Sequence, residues 1–134
     1  MKEKNTSHLA GEFLVAGELA RRRYPVSITM GNAKSIDIYA DTPEGPIKID
    51  AKAGRAKGNW PVNEHSLRPD VFYIFVHLGT DTQIKNNDPP EYFIVTGNEL
   101  KSQNLVDTWR TRTGIRYQAL EDCKGKWDKL PAPK

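Results

Sequence analysis

Cysteine occurs once in the 134 residues, at Cys123, which excludes an internal disulfide and a cysteine-cluster zinc site. His65 and His77 stand twelve apart with no H-x(3)-H spacing, so a histidine zinc site is not expected either. No G-x-S-x-G or phosphate-loop string is present, and Cys123 has no evident partner for nucleophilic catalysis. No apolar run approaches the length of a membrane span, and the polar start Met1-Lys2-Glu3-Lys4-Asn5 is not followed by a signal-peptide core. A cytoplasmic location without a membrane partner is the resulting expectation. There is no internal repeat and no low-complexity segment, so one domain over residues 1–134 is expected, with 131–134 as a tail. Charge is not extreme: the net value is +3 and the pI near 9.0, compatible with a polyanionic partner without requiring one.

What is present is a succession of short patterned segments. Thr6 or Ser7 is placed to cap a helix from His8 to about Arg23, with Leu9, Phe13, Ala16, Leu19 and Ala20 on one face. Glu12 falls inside that apolar arc, where an acid is costly unless it has a partner, whereas Glu18 points away. Tyr24-Pro25 ends the helix, Val26 to Met30 reads as a strand, and Gly31 to Lys34 as a turn. Val71 to Leu78 is the most apolar run and suits a central strand buried on both faces. A polar loop from Gly79 to Pro90 leads to a strand at Tyr92–Val95, a helix from Glu99 to about Arg110, and a short strand at Gly114–Tyr117. Helix, three strands, an irregular segment, two strands and a helix make an α/β sandwich around a mixed sheet.

The chemistry concentrates in one predicted hairpin. Ser35 to Asp41 and Ile47 to Ala53 both alternate apolar and polar residues, and Thr42-Pro43-Glu44-Gly45 supplies the turn. With Asp41 paired to Pro46, counting back sets Asp37 opposite Asp50, and Lys52 shares their face. Ile36, Ile38, Ala40, Ile47, Ile49 and Ala51 then form the opposite, core-facing side. Two facing carboxylates repel, and a divalent cation between them would remove the penalty. Taken singly, each of these charges is an ordinary solvent-facing strand residue; the signal lies in the four together.

A helical Glu12, then Asp37 on one strand and Asp50-Ala51-Lys52 on the next, resembles the PD-(D/E)XK nuclease superfamily of restriction-endonuclease-like and Holliday-junction-resolvase-like enzymes. The resemblance covers about the first half of the chain. It departs from the pattern in having Ile36 before Asp37, and in lacking a helical segment after Lys52, where Gly54 to Pro61 does not read as helix. It implies a three-layer sandwich with a central mixed β-sheet flanked by helices, and Mg²⁺-dependent hydrolysis of DNA phosphodiesters, with Mn²⁺ substituting. Asp37, Asp50 and the Ala51 carbonyl would be metal ligands, Glu12 an auxiliary ligand, and Lys52 the cation that orients the attacking water.

Arg23, Lys34, Arg55, Lys57 and Arg68 are candidate phosphate contacts on this reading. Trp60 either stacks on a base or packs as a lid over the core. So small a chain leaves little surface for reading sequence, so structure-directed or weakly specific cleavage by a homodimer is expected, with RNA as an alternative substrate. The rival expectation is a non-catalytic module of the same fold, binding nucleic acid through Arg55, Lys57 and Trp60 or a protein through the Phe93 side of the sheet.

Overall fold

A computed structural model describes residues 3–29, 36–56, 58–110 and 112–134. Lys34, Lys57 and the turn expected at 31–34 lie outside the described residues. In chain order the elements are α1 (Glu3–Arg21), β1 (Val26–Ile28), β2 (Ile38–Thr42), β3 (Gly45–Gly54), β4 (Asn59–Pro61), β5 (Val71–His77), α2 (Asp81–Lys85), β6 (Glu91–Thr96), α3 (Gly97–Ser102), β7 (Asp107–Trp109) and β8 (Arg112–Arg116). Five strands form a mixed sheet in the order β1-β2-β3-β5-β6, in which only β3 and β5 run parallel. A second sheet, β4-β8-β7, lies against one face of the first.

The β2–β3 hairpin forms in the register read from the sequence, Asp41 opposite Pro46 and Ile38 opposite Ile49. Gly45 takes φ +112, a conformation open to glycine, and the Thr42 hydroxyl donates to the Gly45 carbonyl across the turn. Val15 and Leu19 of α1 pack with Ile38, Ile49, Ile74 and Ile94 on one side of the sheet. Trp60, Phe75, Phe93, Ile115 and Leu120 fill the other. The flanking layers therefore differ: a long helix covers one face, the small sheet with α3 and a 3-10 turn covers the other.

Several expected boundaries move. α1 begins before His8 and stops at Arg21, where Arg23 adopts φ +76 and Tyr24 N–H reaches back to the Leu19 carbonyl, a helix-ending motif that normally takes glycine. Its buried face is Gly11, Glu12, Val15, Ala16 and Leu19, and Phe13, expected inside, is exposed. Ile36 joins the Trp60 cluster rather than the α1 side, because the chain bends at Asp37 and strand alternation begins only at Ile38. The helix expected to Arg110 ends at Ser102 and gives way to β7, and the Gly79–Pro90 loop holds the short α2, capped by Thr80 and Gln83. Residues 131–134 are tied down: Tyr24 OH donates to the Pro131 carbonyl, and Lys134 N–H to that of Asp41.

α1 is seated on β3 through Gly11, where an added Cβ would stand 2.6 Å from the Ala53 Cβ. Gly17 on the same helix has nothing within 4 Å. The two glycines are therefore predicted to respond oppositely to alanine. Gly11→Ala costs about 1–3 kcal/mol by overpacking. Gly17→Ala gains about 0.5–1 kcal/mol from helix propensity. Urea unfolding midpoints of the two variants check both signs.

Candidate active site

Along β3 the side chains alternate, so Ala51 lies on the α1 side, and Asp50 and Lys52 share the face of their β5 partners Tyr73 and Phe75. Lys52 Nζ stands 3.5 Å from Asp50 Oδ2. Asp37 sits at the bend just before β2, one step beyond the last hairpin pair, which brings it level with Asp50. Its Oδ2 accepts the Ala51 N–H at 2.9 Å, so the carboxylate caps the end of the β2–β3 ladder instead of pointing into solvent.

Glu12 arrives from α1. It is 2% exposed and Asp37 7%, and both are held where the helix closes on the bend. His8, one turn before Glu12, places Nε2 3.4 Å from Glu12 Oε1. Ligand atoms of His8, Glu12 and Asp37 all lie within 4.8 Å of one another. The helix is fastened to β3 on both sides of His8, by the Gly11–Ala53 contact and by Arg55 Nε donating to Ser7 Oγ at 3.1 Å. His8 was not foreseen from the sequence, although its i, i+4 spacing to Glu12 was a readable signal.

Asp50 has Lys52 on one side and the Asp37 carboxylate on the other, and Glu12 lies beyond Asp37. Burial, opposed by Lys52 and reinforced by the neighbouring Asp37 carboxyl, raises the Asp50 carboxyl to about 7. The donors are hard carboxylate oxygens, a backbone carbonyl at Ala51 and one imidazole, a set that fits a divalent cation.

The outlying candidates divide. Arg55 is at the edge of this cluster, engaged with Ser7. Arg68 is exposed, its guanidinium 3.5 Å from Asp70, while its backbone N–H donates to the hydroxyl of Tyr73, the strand partner of Asp50. Arg23 is not brought in: it lies past the C-terminal end of α1, some eleven residues or ~16 Å along the axis from Glu12. Trp60 is a core residue, 4% exposed, packed on Phe75 and Phe93 with its indole N–H on the Val76 carbonyl; its ring is closed to a base. Phe93 is fully buried beneath the same cluster, so that side of the sheet is not an open docking face. His65 is exposed on a 3-10 turn, and His77 ends β5 with Nδ1 3.3 Å from Glu91.

No family model and no curated protein matches the sequence. The architecture is nevertheless that of a restriction-endonuclease-like fold. Among solved structures, the chain is similar to a bacterial homing endonuclease, I-Ssp6803I, with a TM-score of 0.62 over 96% of this chain and 91% of that one. Sequence identity is 10%, so the likeness is one of fold. Among the described residues no helix is long and apolar enough to cross a membrane.

A carboxyl whose pKa is raised on folding stabilises the protein fully below its unfolded value, here near 3.8, and that stability is lost as pH rises through about 7. In metal-free protein, Asp50→Asn is therefore expected to melt several degrees above wild type at pH 8, with the difference shrinking towards pH 4. Thermal melts across this range test it, and a pH-independent difference would contradict it.

Proposed function

We propose that this protein is a divalent-cation-dependent endonuclease that hydrolyses DNA phosphodiester bonds, Mg²⁺ being the expected ion and Mn²⁺ a substitute. The observation that carries the reading is that Asp37 joins the two sides: it lies beside Glu12 of α1, accepts the Ala51 N–H and neighbours Asp50, which stands 3.5 Å from Lys52. The restriction-endonuclease-like fold supports it, as does the name of the similar structure, a homing endonuclease.

Asp37, Asp50 and the Ala51 carbonyl hold the cation, and Glu12 is the auxiliary acid. Bound there, a divalent cation supplies positive charge against the negative charge that builds on a phosphodiester under attack. Asp37 contributes more than a ligand atom, because its bond to the Ala51 N–H fixes the β3 backbone whose carbonyl joins the set. Lys52, 3.5 Å from Asp50, is set to orient the attacking water and to stabilise charge on the phosphoryl oxygens. Arg55, just beyond β3 and bonded to Ser7, is the candidate phosphate contact beside this site, and contacts to phosphate position the duplex without reading its sequence. Weakly sequence-specific or structure-directed cleavage, by a dimer that cuts both strands, belongs to the same proposal.

Cleavage of plasmid DNA in Mg²⁺ or Mn²⁺ is the test. Asp50→Ala and Lys52→Ala are each expected to lower the rate ~10²-fold or more while the circular dichroism spectrum stays native. DNA binding without cleavage in either metal, unaffected by both substitutions, would instead identify a binding module built on the nuclease fold.

A further inference from the structure

We propose that His8 is a ligand in this centre, and that its imidazole gives the position shared with Glu12 and Asp37 a preference for first-row transition cations such as Mn²⁺ or Co²⁺ over Mg²⁺. The inference rests on the metal-dependent reading above and assigns a residue and a selectivity that the acid-and-lysine motif does not contain.

The acids divide geometrically. Asp50 and the Ala51 carbonyl belong to β3 and, with Asp37, offer oxygen alone. Glu12 approaches Asp37 from α1 and brings His8 with it, since side chains one turn apart leave the same helix face. Two ligands of one ion, each about 2.1 Å from it, must stand no more than ~4 Å apart. Nε2 of His8 and Oε1 of Glu12, at 3.4 Å, already satisfy that limit. The full triad, within 4.8 Å, needs only a small side-chain adjustment. His8 is the member able to make it: its side chain is 52% exposed, whereas Glu12 and Asp37 are buried and fixed. The backbone that carries it is anchored, through Ser7 to Arg55 and through Gly11 to Ala53, so the imidazole stays beside the acids while retaining rotational freedom.

The chemistry of an imidazole nitrogen then sets the selectivity. Mg²⁺ takes oxygen ligands and gives up its waters reluctantly. Nitrogen donors favour the later divalent cations of the first transition row, with affinity rising from Mn²⁺ to Co²⁺. The all-oxygen position on β3 accepts either kind of ion, and the position with His8 discriminates.

Electron spin-echo spectroscopy of Mn²⁺ bound to the untagged full chain separates a ligand from a simple His–Glu pair, because only a coordinated imidazole couples its ¹⁴N to the metal electrons. The expected result is ¹⁴N coupling in wild type, lost in His8→Gln and kept in His65→Gln. In calorimetric titrations, His8→Gln should weaken the tighter Mn²⁺ event roughly ten- to a hundredfold, leaving Mg²⁺ affinity unchanged. Mn²⁺ bound with no ¹⁴N coupling, or coupling that survives His8→Gln, would overturn the role of His8 and leave the nuclease reading intact. Failure of wild type to bind either ion would overturn both.

Discussion

The hydrogen bond from the Ala51 amide to the Asp37 carboxylate is the contact on which the arrangement turns. It closes the end of the β2–β3 ladder with a side chain, and in doing so fixes an acid beside Asp50 in a site largely removed from water. Neither carboxylate would choose that neighbour. Burial and mutual repulsion raise the ionisation of Asp50 to about 7, and Lys52 offsets only part of the cost. The fold is thus holding charge against its own preference, as functional sites commonly do. A one-residue slip of the hairpin would send Asp50 and Lys52 to the α1 side and Ala51 to the other. The turn at Thr42–Gly45 and the isoleucines of the core face prevent that slip.

The second constraint is the approach of α1. Gly11 lets the helix backbone come close to Ala53, and this closeness delivers Glu12 to Asp37 from the opposite side of the sheet end. Glycine in a helix interior is unfavourable by roughly 1 kcal/mol relative to alanine. Here the close approach gives that cost a physical reason, and Gly17, with open space around it, shows no comparable one. The site is consequently a property of three elements meeting at one corner, with the helix and the hairpin each supplying what the other lacks.

Much of this was legible because it is local. Period-two alternation on either side of a Pro-Gly turn determines which residues of a hairpin face each other, so Asp37, Asp50 and Lys52 could be grouped from the chain alone. An acid inside an apolar helical arc marks Glu12, although α1 is rotated so that Gly11 and Glu12, not Phe13, face the core. Phe13 points outward because the seat is made by small Gly11, a contact invisible before β3 is in place. What escaped the sequence is non-local. Among the described residues between β3 and β5 no α-helix makes the parallel crossover; β4 and a short 3-10 turn lie there, β4 paired to β8 more than fifty residues away. No pattern in Gly54–Pro61 announces a partner that distant, and Trp60 looked available to a base only because the aromatic cluster it completes is assembled from β5, β6 and Tyr117. Helix ends were also displaced, at Arg23 and near Asn104, where residues other than glycine take positive φ. Propensity does not foresee those reversals.

The most direct test of the account is the location of a bound ion. Crystals soaked in Mn²⁺ and measured for anomalous scattering are predicted to show a peak within coordination distance of the Asp37 and Asp50 carboxylates and the Ala51 carbonyl. Occupied crystals with the ion elsewhere, or no peak at a Mn²⁺ concentration that saturates the protein in solution, would contradict the claim that these acids are held together for a metal.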